Sequence, residues 1–232
     1  MNFRFATALV SLTSATFFAF ACSSNTPPKP SISPTGSSPT VAAASLDKLL
    51  LSAEQVSTAM STTGMAVGEH WDETTDPQAG LPNECLPIQG AVEDAVYKKS
   101  GWTAIRGEYL SAPKPAAGDK KYAEQSVVFF PVTRSATDFF DMSAHSWPAC
   151  SNRSYTFSGA DGSPVTWTVG PVANNNGMLT ASRTKGGSAW TCQRAFTVNL
   201  NIAIDIMTCS HNKTDPAAAN IARQIAANVA RQ

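Results

Sequence analysis

Residues 190–209 read WTCQRAFTVNLNIAIDIMTC. Two runs rich in β-branched and apolar residues flank Leu200-Asn201, the pattern of a β-hairpin. A two-residue turn at Leu200-Asn201 sets Cys192 directly opposite Cys209, at a Cβ separation that a disulfide can span. The same register puts Arg194 and Asp205 diagonally on one face. A competing pattern exists. Phe196, Val198, Ile202, Ile204 and Ile206 are all even-numbered, and a three-residue loop would align them on one face. A sheet covered on both faces tolerates either arrangement, and the cysteines decide for the shorter turn. Leu200 stands where such a turn prefers Asn or Gly. Arg194 and Asp205 form either a buried structural ion pair or part of a binding cleft.

Strands precede the hairpin at Tyr155–Phe157, Val165–Val169 and Met178–Arg183. Gly159-Ala160-Asp161-Gly162, Asn174-Asn175-Asn176-Gly177 and Gly186-Gly187 separate them as turns. Connections this short imply antiparallel pairing, because parallel crossovers need a dozen or more residues. Further upstream, Trp102–Leu110 and Tyr122–Val132 read as strands around a loop that holds Pro113, Pro115 and Gly118. Val127-Val128-Phe129-Phe130 is a continuous apolar run, which fits a strand covered on both faces. Residues 68–90 are punctuated by Pro77, Gly80, Pro82, Pro87 and Gly90 and read as irregular.

Three segments carry helical spacing. Leu46, Leu49, Leu50, Ala53, Val56 and Met60 build one stripe over Leu46–Thr62, ended by Gly64. Ser52 and Gln55 make a capping box that would start a helix at Ala53. A second helix is expected over Ala136–Ser146, capped by Ser135 and Asp138 and stopped by Pro148. The third starts with Asp215 as N-cap and Pro216 in the first position, and repeats Ile221, Ile225 and Val229. The expected class is α+β, with helices packed on a twisted, mainly antiparallel central sheet.

The N-terminal segment is built like a secretory signal. Arg4 is the only charge in residues 1–28, Phe5 to Ala21 is apolar or small, and Ala19 and Ala21 form the A-x-A pattern. Cys22 follows at the position whose thiol takes diacylglycerol in a bacterial lipoprotein. The expected organisation is a signal peptide over 1–21, then a lipidated Cys22 and a disordered tether over 22–44, then one domain over 45–232. The tether holds Pro27, Pro28, Pro30, Pro34 and Pro39 with one charge, Lys29, and has too little apolar surface to fold. It lacks a basic cluster, so membrane attachment at the outer face of the cytoplasmic membrane would rest on acyl chains such as palmitate. If Cys22 is not lipidated, the chain is secreted.

The 232 residues carry a formal net charge of zero with 15% charged residues, and no basic run suggests nucleic acid. Cys85, Cys150, Cys192 and Cys209 remain in the exported domain. An even number there implies two disulfides, with three connectivities open. A metal site is not expected. No C-x-x-C occurs, and His70, His145 and His211 do not repeat at ligand spacing. No phosphate-binding, dinucleotide-binding, serine-hydrolase or zinc-protease motif is present, so neither a cofactor nor catalysis is expected. Glu69-His70-Trp71-Asp72-Glu73 is a polar cluster that reads as a solvated loop or a cation or ligand site. Asn152-Arg153-Ser154 and Asn212-Lys213-Thr214 match the glycosylation sequon, which carries no weight in a bacterial lipoprotein.

Several stretches together resemble a known family. They are the Leu-rich segment Leu49-Leu50-Leu51-Ser52-Ala53-Glu54-Gln55-Val56, then Trp147-Pro148-Ala149-Cys150, then the Cys192–Cys209 hairpin. They are similar to the PknH-type extracellular sensor domain of mycobacterial serine/threonine kinases and its stand-alone lipoprotein relatives, over residues 46–232. The resemblance implies a sensor fold with a central antiparallel sheet, an open cleft for a ligand, and the bridges Cys85–Cys150 and Cys192–Cys209. The kinase half of that family has no counterpart in these residues, so a free lipoprotein is expected. Two functions follow. One is a non-enzymatic ligand-binding or sensor module for an unknown small-molecule or envelope ligand, with Arg194, Asp205 and Trp190 as candidate ligand-binding residues. The other is a carrier of lipid or other apolar molecules across the cell envelope. A polar open groove favours the first and a closed apolar cavity the second.

Overall fold

The computed structural model describes residues 40–76, 80–112, 120–159, 161–211 and 216–232. The signal segment, Cys22, the tether up to residue 39, the 113–119 loop, Asp215 and the sequon at Asn212 lie outside them. Nine strands are found among the described residues. They are β1 (Ala66–Trp71), β2 (Ala104–Ser111), β3 (Tyr122–Phe129), β4 (Ser154–Ser158), β5 (Pro164–Val169), β6 (Ala173–Asn175), β7 (Met178–Lys185), β8 (Thr191–Asn199) and β9 (Ile202–Ser210). They form one sheet in the order β1-β2-β3-β9-β8-β7-β5-β4, with β6 on β7. Every pairing between these strands is antiparallel.

The central hairpin has the two-residue turn. Cys192 pairs with Cys209 and Asn199 with Ile202. Leu200 takes a φ of 53°, uncommon for a residue with a branched side chain. Tertiary contacts hold it there. The wholly buried Asn201 accepts from the Val41 N–H (2.7 Å) and donates to the Val41 and Phe130 carbonyls (3.0 and 2.9 Å). The two-residue register sends the even-numbered apolar residues to opposite faces. Phe196 packs with Val92, Phe139 and Trp147. Ile202, Ile204 and Ile206 pack with Leu46, Val56, Ile221 and Ile225. Two buried layers therefore sandwich the sheet, and both parities find apolar cover.

The helices are α1 (Ala53–Ala59), α2 (Leu86–Gln89), α3 (Asp94–Tyr97), α4 (Thr133–Ser146) and α5 (Ala217–Val229). The Leu46–Thr62 stripe breaks into a 3-10 turn at Ala43–Lys48 and then α1. Both arms of the Ser52–Gln55 capping box form, at 3.3 and 2.9 Å. Helix α4 starts three residues earlier than Ala136, with Val132 at the N-cap and no side-chain cap. Asp138 pairs with Arg134 one turn back instead. Pro148 ends α4 but continues the chain into a 3-10 turn over Trp147–Cys150. Both disulfides are present, Cys85–Cys150 and Cys192–Cys209. Among the described residues no helix is long and apolar enough to cross a membrane.

Two strands escape the sequence reading. β1 starts just before the segment read as irregular and runs into it, as an exposed edge strand with a register shift between Val67 and Glu69. β6 includes Asn174 and Asn175, so the turn shrinks to Asn176-Gly177, both at positive φ.

Candidate functional site

Residues 86–97, which hold α2 and α3, lie as a strap across one face of the sheet. Cys85 fixes the start of this strap to Cys150, the last residue of the 3-10 turn that follows α4. Polar bonds tie the rest to five strands. Arg194 of β8 donates from Nη1 to the Pro87 carbonyl at 3.3 Å. The Gln89 Oε1 accepts from Arg183 of β7 and from the Tyr155 hydroxyl of β4, the latter at 2.7 Å. The Ala91 backbone donates to the Glu124 carboxylate of β3. Asp205 of β9 accepts at Oδ2 from the Val92 N–H (3.0 Å) and the Tyr97 hydroxyl (2.8 Å). Val92 is β-branched and has a φ of 49°, a conformation that persists only where the surroundings over-determine it.

Arg194 and Asp205 form the centre of this assembly. Arg194 Nη2 lies 2.6 Å from Asp205 Oδ1, and the side chains are 5% and 0% exposed. Arg194 also stacks on the Trp147 ring at 5.3 Å, and Arg183 on the Trp167 ring at 4.5 Å. The two guanidiniums are thus held between strap and sheet, as buried charges require. Trp190 lies elsewhere. Half-buried, it packs against Tyr122 at 5.8 Å and His211 at 5.0 Å, beside the Cys192–Cys209 bridge. The Tyr122 hydroxyl is 3.7 Å from Cys192 Sγ. The structure therefore brings Arg194 and Asp205 together and places Trp190 at the rim of the bridge rather than beside the pair.

Glu93 and Glu124 complete the cluster. Burial pushes the Glu93 carboxyl up to about 7, against the pull of Arg194 and Arg183. Burial likewise pushes Glu124 up to about 7, opposed by the same two arginines and by the Ala91 amide. Burial and the neighbouring Asp205 charge raise Tyr97 well above the usual phenol range, so it stays a hydrogen-bond donor. Glu93 Oε2 and Arg183 Nε are buried without a hydrogen-bond partner. Sequence reasoning missed Glu93, Gln89 and Tyr97 because nothing local marks a polar strap residue as buried. Glu124 carried a faint signal, a charge inside a segment that reads as a strand.

Two open grooves are polar-lined, and no strap residue lines either of them. One, of about 420 Å³, lies between β7, β8 and α5 and is lined by Thr180, Ser182, Gln193, Arg194 and Arg223. The other, of about 490 Å³, lies where β1 ends beside β2, and is lined by Asp47, His70, Asp72, Arg106 and Glu108. The Glu69–Glu73 cluster thus forms the end of an edge strand and the wall of a groove, not a free loop. Among the described residues no three His, Cys, Asp or Glu side chains gather as a metal site.

Comparison with known proteins gives one family. The model of the PknH-like extracellular domain matches residues 41–228. The serine/threonine-protein kinase PknH of Mycobacterium bovis is 31% identical over 194 residues, covering 82% of this chain and 31% of the kinase. PknH of Mycobacterium tuberculosis strain H37Rv is also 31% identical over 194 residues, covering 82% of this chain and 29% of the kinase. The chain thus spans less than a third of the length of these kinases. The crystal structure of the extracellular domain of PknH from Mycobacterium tuberculosis superposes with a TM-score of 0.77 at 28% identity, over 84% of this chain and 99% of that one.

Proposed function

We propose, from the premise that this chain belongs to the PknH-like extracellular domain family, that it is a non-enzymatic sensor that binds a polar ligand outside the cell. Cys22 carries the lipid that anchors it to the outer face of the cytoplasmic membrane, and residues 22–44 form the tether. The observation that supports ligand binding is the pair of open, polar-lined grooves, one between β7, β8 and α5 and one where β1 ends beside β2. Small-ligand sites are concave surfaces with a few convergent polar groups, held by elements that do not shift. A carrier of lipid would need a closed apolar cavity, and neither groove has that character.

Native mass spectrometry of protein purified from its own host tests the reading. A co-purified polar small molecule is the expected result. A co-purified lipid would instead support the carrier, and turnover of ester, phosphate or peptide substrates would overturn the non-enzymatic reading. Cys22→Ser should move the protein from the membrane to the soluble fraction, and continued membrane retention would remove the lipid anchor from the proposal.

A further inference from the structure

The groove where β1 ends beside β2 has a fixed, mixed set of donors and acceptors. Glu108 is held from behind by Gln125, whose Nε2 donates to its Oε2 at 3.0 Å. Gln125 is wholly buried and locked by both the N–H and the carbonyl of Leu51, at 3.0 and 2.8 Å. The other carboxylate oxygen of Glu108 lies 3.4 Å from His70 Nδ1. Across the groove, Arg106 Nε lies 3.0 Å from Asp47 Oδ1, and its Nη1 donates to the Ile105 carbonyl at 2.7 Å. These contacts fix the planes of a carboxylate and a guanidinium while leaving further donor and acceptor positions on each. Asp72 is exposed at the mouth. The Trp71 indole lies so close on Gly107 that a Cβ there would meet Nε1 at 2.0 Å, and both residues line the groove. Trp71 Nε1 is a buried donor without a partner.

The lining selects a ligand class. Its volume of about 490 Å³ falls in the range of roughly 300–1,000 Å³ usual for small-ligand sites. Three carboxylates, Asp47, Asp72 and Glu108, against one paired guanidinium disfavour an anion. The polar walls disfavour a hydrocarbon, since groups left unpaired by it would lose their hydrogen bonds to water. Hydroxyl groups both donate and accept, so vicinal diols match interleaved carboxylate, imidazole and guanidinium edges. We infer that this groove binds a polyhydroxylated ligand, a neutral or amino-bearing saccharide. This assignment rests on the sensor reading above and names both the site and the ligand class for it.

Titration calorimetry of the whole exported domain tests it with four probes: a neutral cello-oligosaccharide, a glucosamine oligomer, an oligogalacturonate and spermidine. The first two should bind, and the last two should not. Asp72→Ala and Arg106→Ala should each weaken saccharide binding at least about tenfold, the loss of roughly one charged hydrogen bond, with unchanged melting temperature. Arg106→Lys, which keeps the charge but not the fork, should also weaken it, and covers the case in which Arg106→Ala unfolds. Absence of binding by both saccharides, equal binding of spermidine, preference for oligogalacturonate, or binding that ignores these variants would overturn the assignment. If a molecule co-purified from the host stays bound to Asp72→Ala and Arg106→Lys, this groove falls while the sensor reading stands.

Discussion

Arg194 and Asp205 meet on the diagonal of the β8–β9 hairpin, not across it. Arg194 stands opposite Met207, and Asp205 opposite Phe196. The diagonal lets Arg194 Nε and Nη2 reach the carboxylate at 3.2 and 2.8 Å while Oδ2 still accepts from Val92 and Tyr97. One carboxylate therefore joins the hairpin to the strap. Removing either partner alone leaves the other charge buried, at a cost of about 3–5 kcal/mol, whereas replacing both by apolar residues costs less. Urea denaturation of Arg194→Met, Asp205→Leu and the double variant should show this non-additivity. Strictly additive losses would mean that the pair does not act as a unit. Hydrogen exchange in residues 86–97 should rise in Asp205→Leu, because that variant also frees the Val92 and Tyr97 donors.

The two disulfides should contribute unequally. Cys85–Cys150 closes a separation of 65 residues and Cys192–Cys209 one of 17. In the chain-entropy account these correspond to about 4 and about 3 kcal/mol. The longer one also fixes the strap. Paired Cys→Ala variants measured by denaturation should therefore rank Cys85/Cys150 as the more damaging loss, and the reverse order would contradict this.

Stability should fall as pH rises from about 4.5 to 7. Glu93 and Glu124 are each raised from 4.5 to about 7 in the folded domain, chiefly by burial. The folded state then binds more protons than the unfolded state in that window. Their contribution is complete below the unfolded value and is lost as pH passes through the folded one. Thermal melts from pH 4 to 8 should show the decline, and Glu93→Gln with Glu124→Gln should flatten it. A profile that rises across this window in the parent protein would refute the buried protonated pair.

Asn201→Ala should destabilise far more than an ordinary turn substitution. The side chain serves the Val41 N–H, the Val41 carbonyl and the Phe130 carbonyl, all in the interior. Buried backbone groups left without partners cost roughly 1–3 kcal/mol each, so a loss of at least about 2 kcal/mol is expected. A change within about 0.5 kcal/mol, the usual size for a surface position, would show that water replaces the amide.

The sequence by itself determined the parts whose signals are local or periodic. The Cys192–Cys209 pairing fixed the hairpin register, and the register carried the Arg194–Asp205 diagonal with it. Side-chain chemistry at Ser52 and Gln55 fixed the start of α1, and a four-residue apolar repeat fixed α5. Tertiary structure alone decided the rest. β1 has no buried face, so no period-2 hydrophobic pattern could announce it. The strap is held by contacts such as Val92 to Asp205, which are 113 residues apart in the chain. No local pattern of apolar residues encodes that distance. The burial of Glu93 and Glu124 exists only once the strap lies on the sheet. The groove beside β1 likewise exists only because a buried Gln125 between Leu51 and Glu108 sets the angle of its wall.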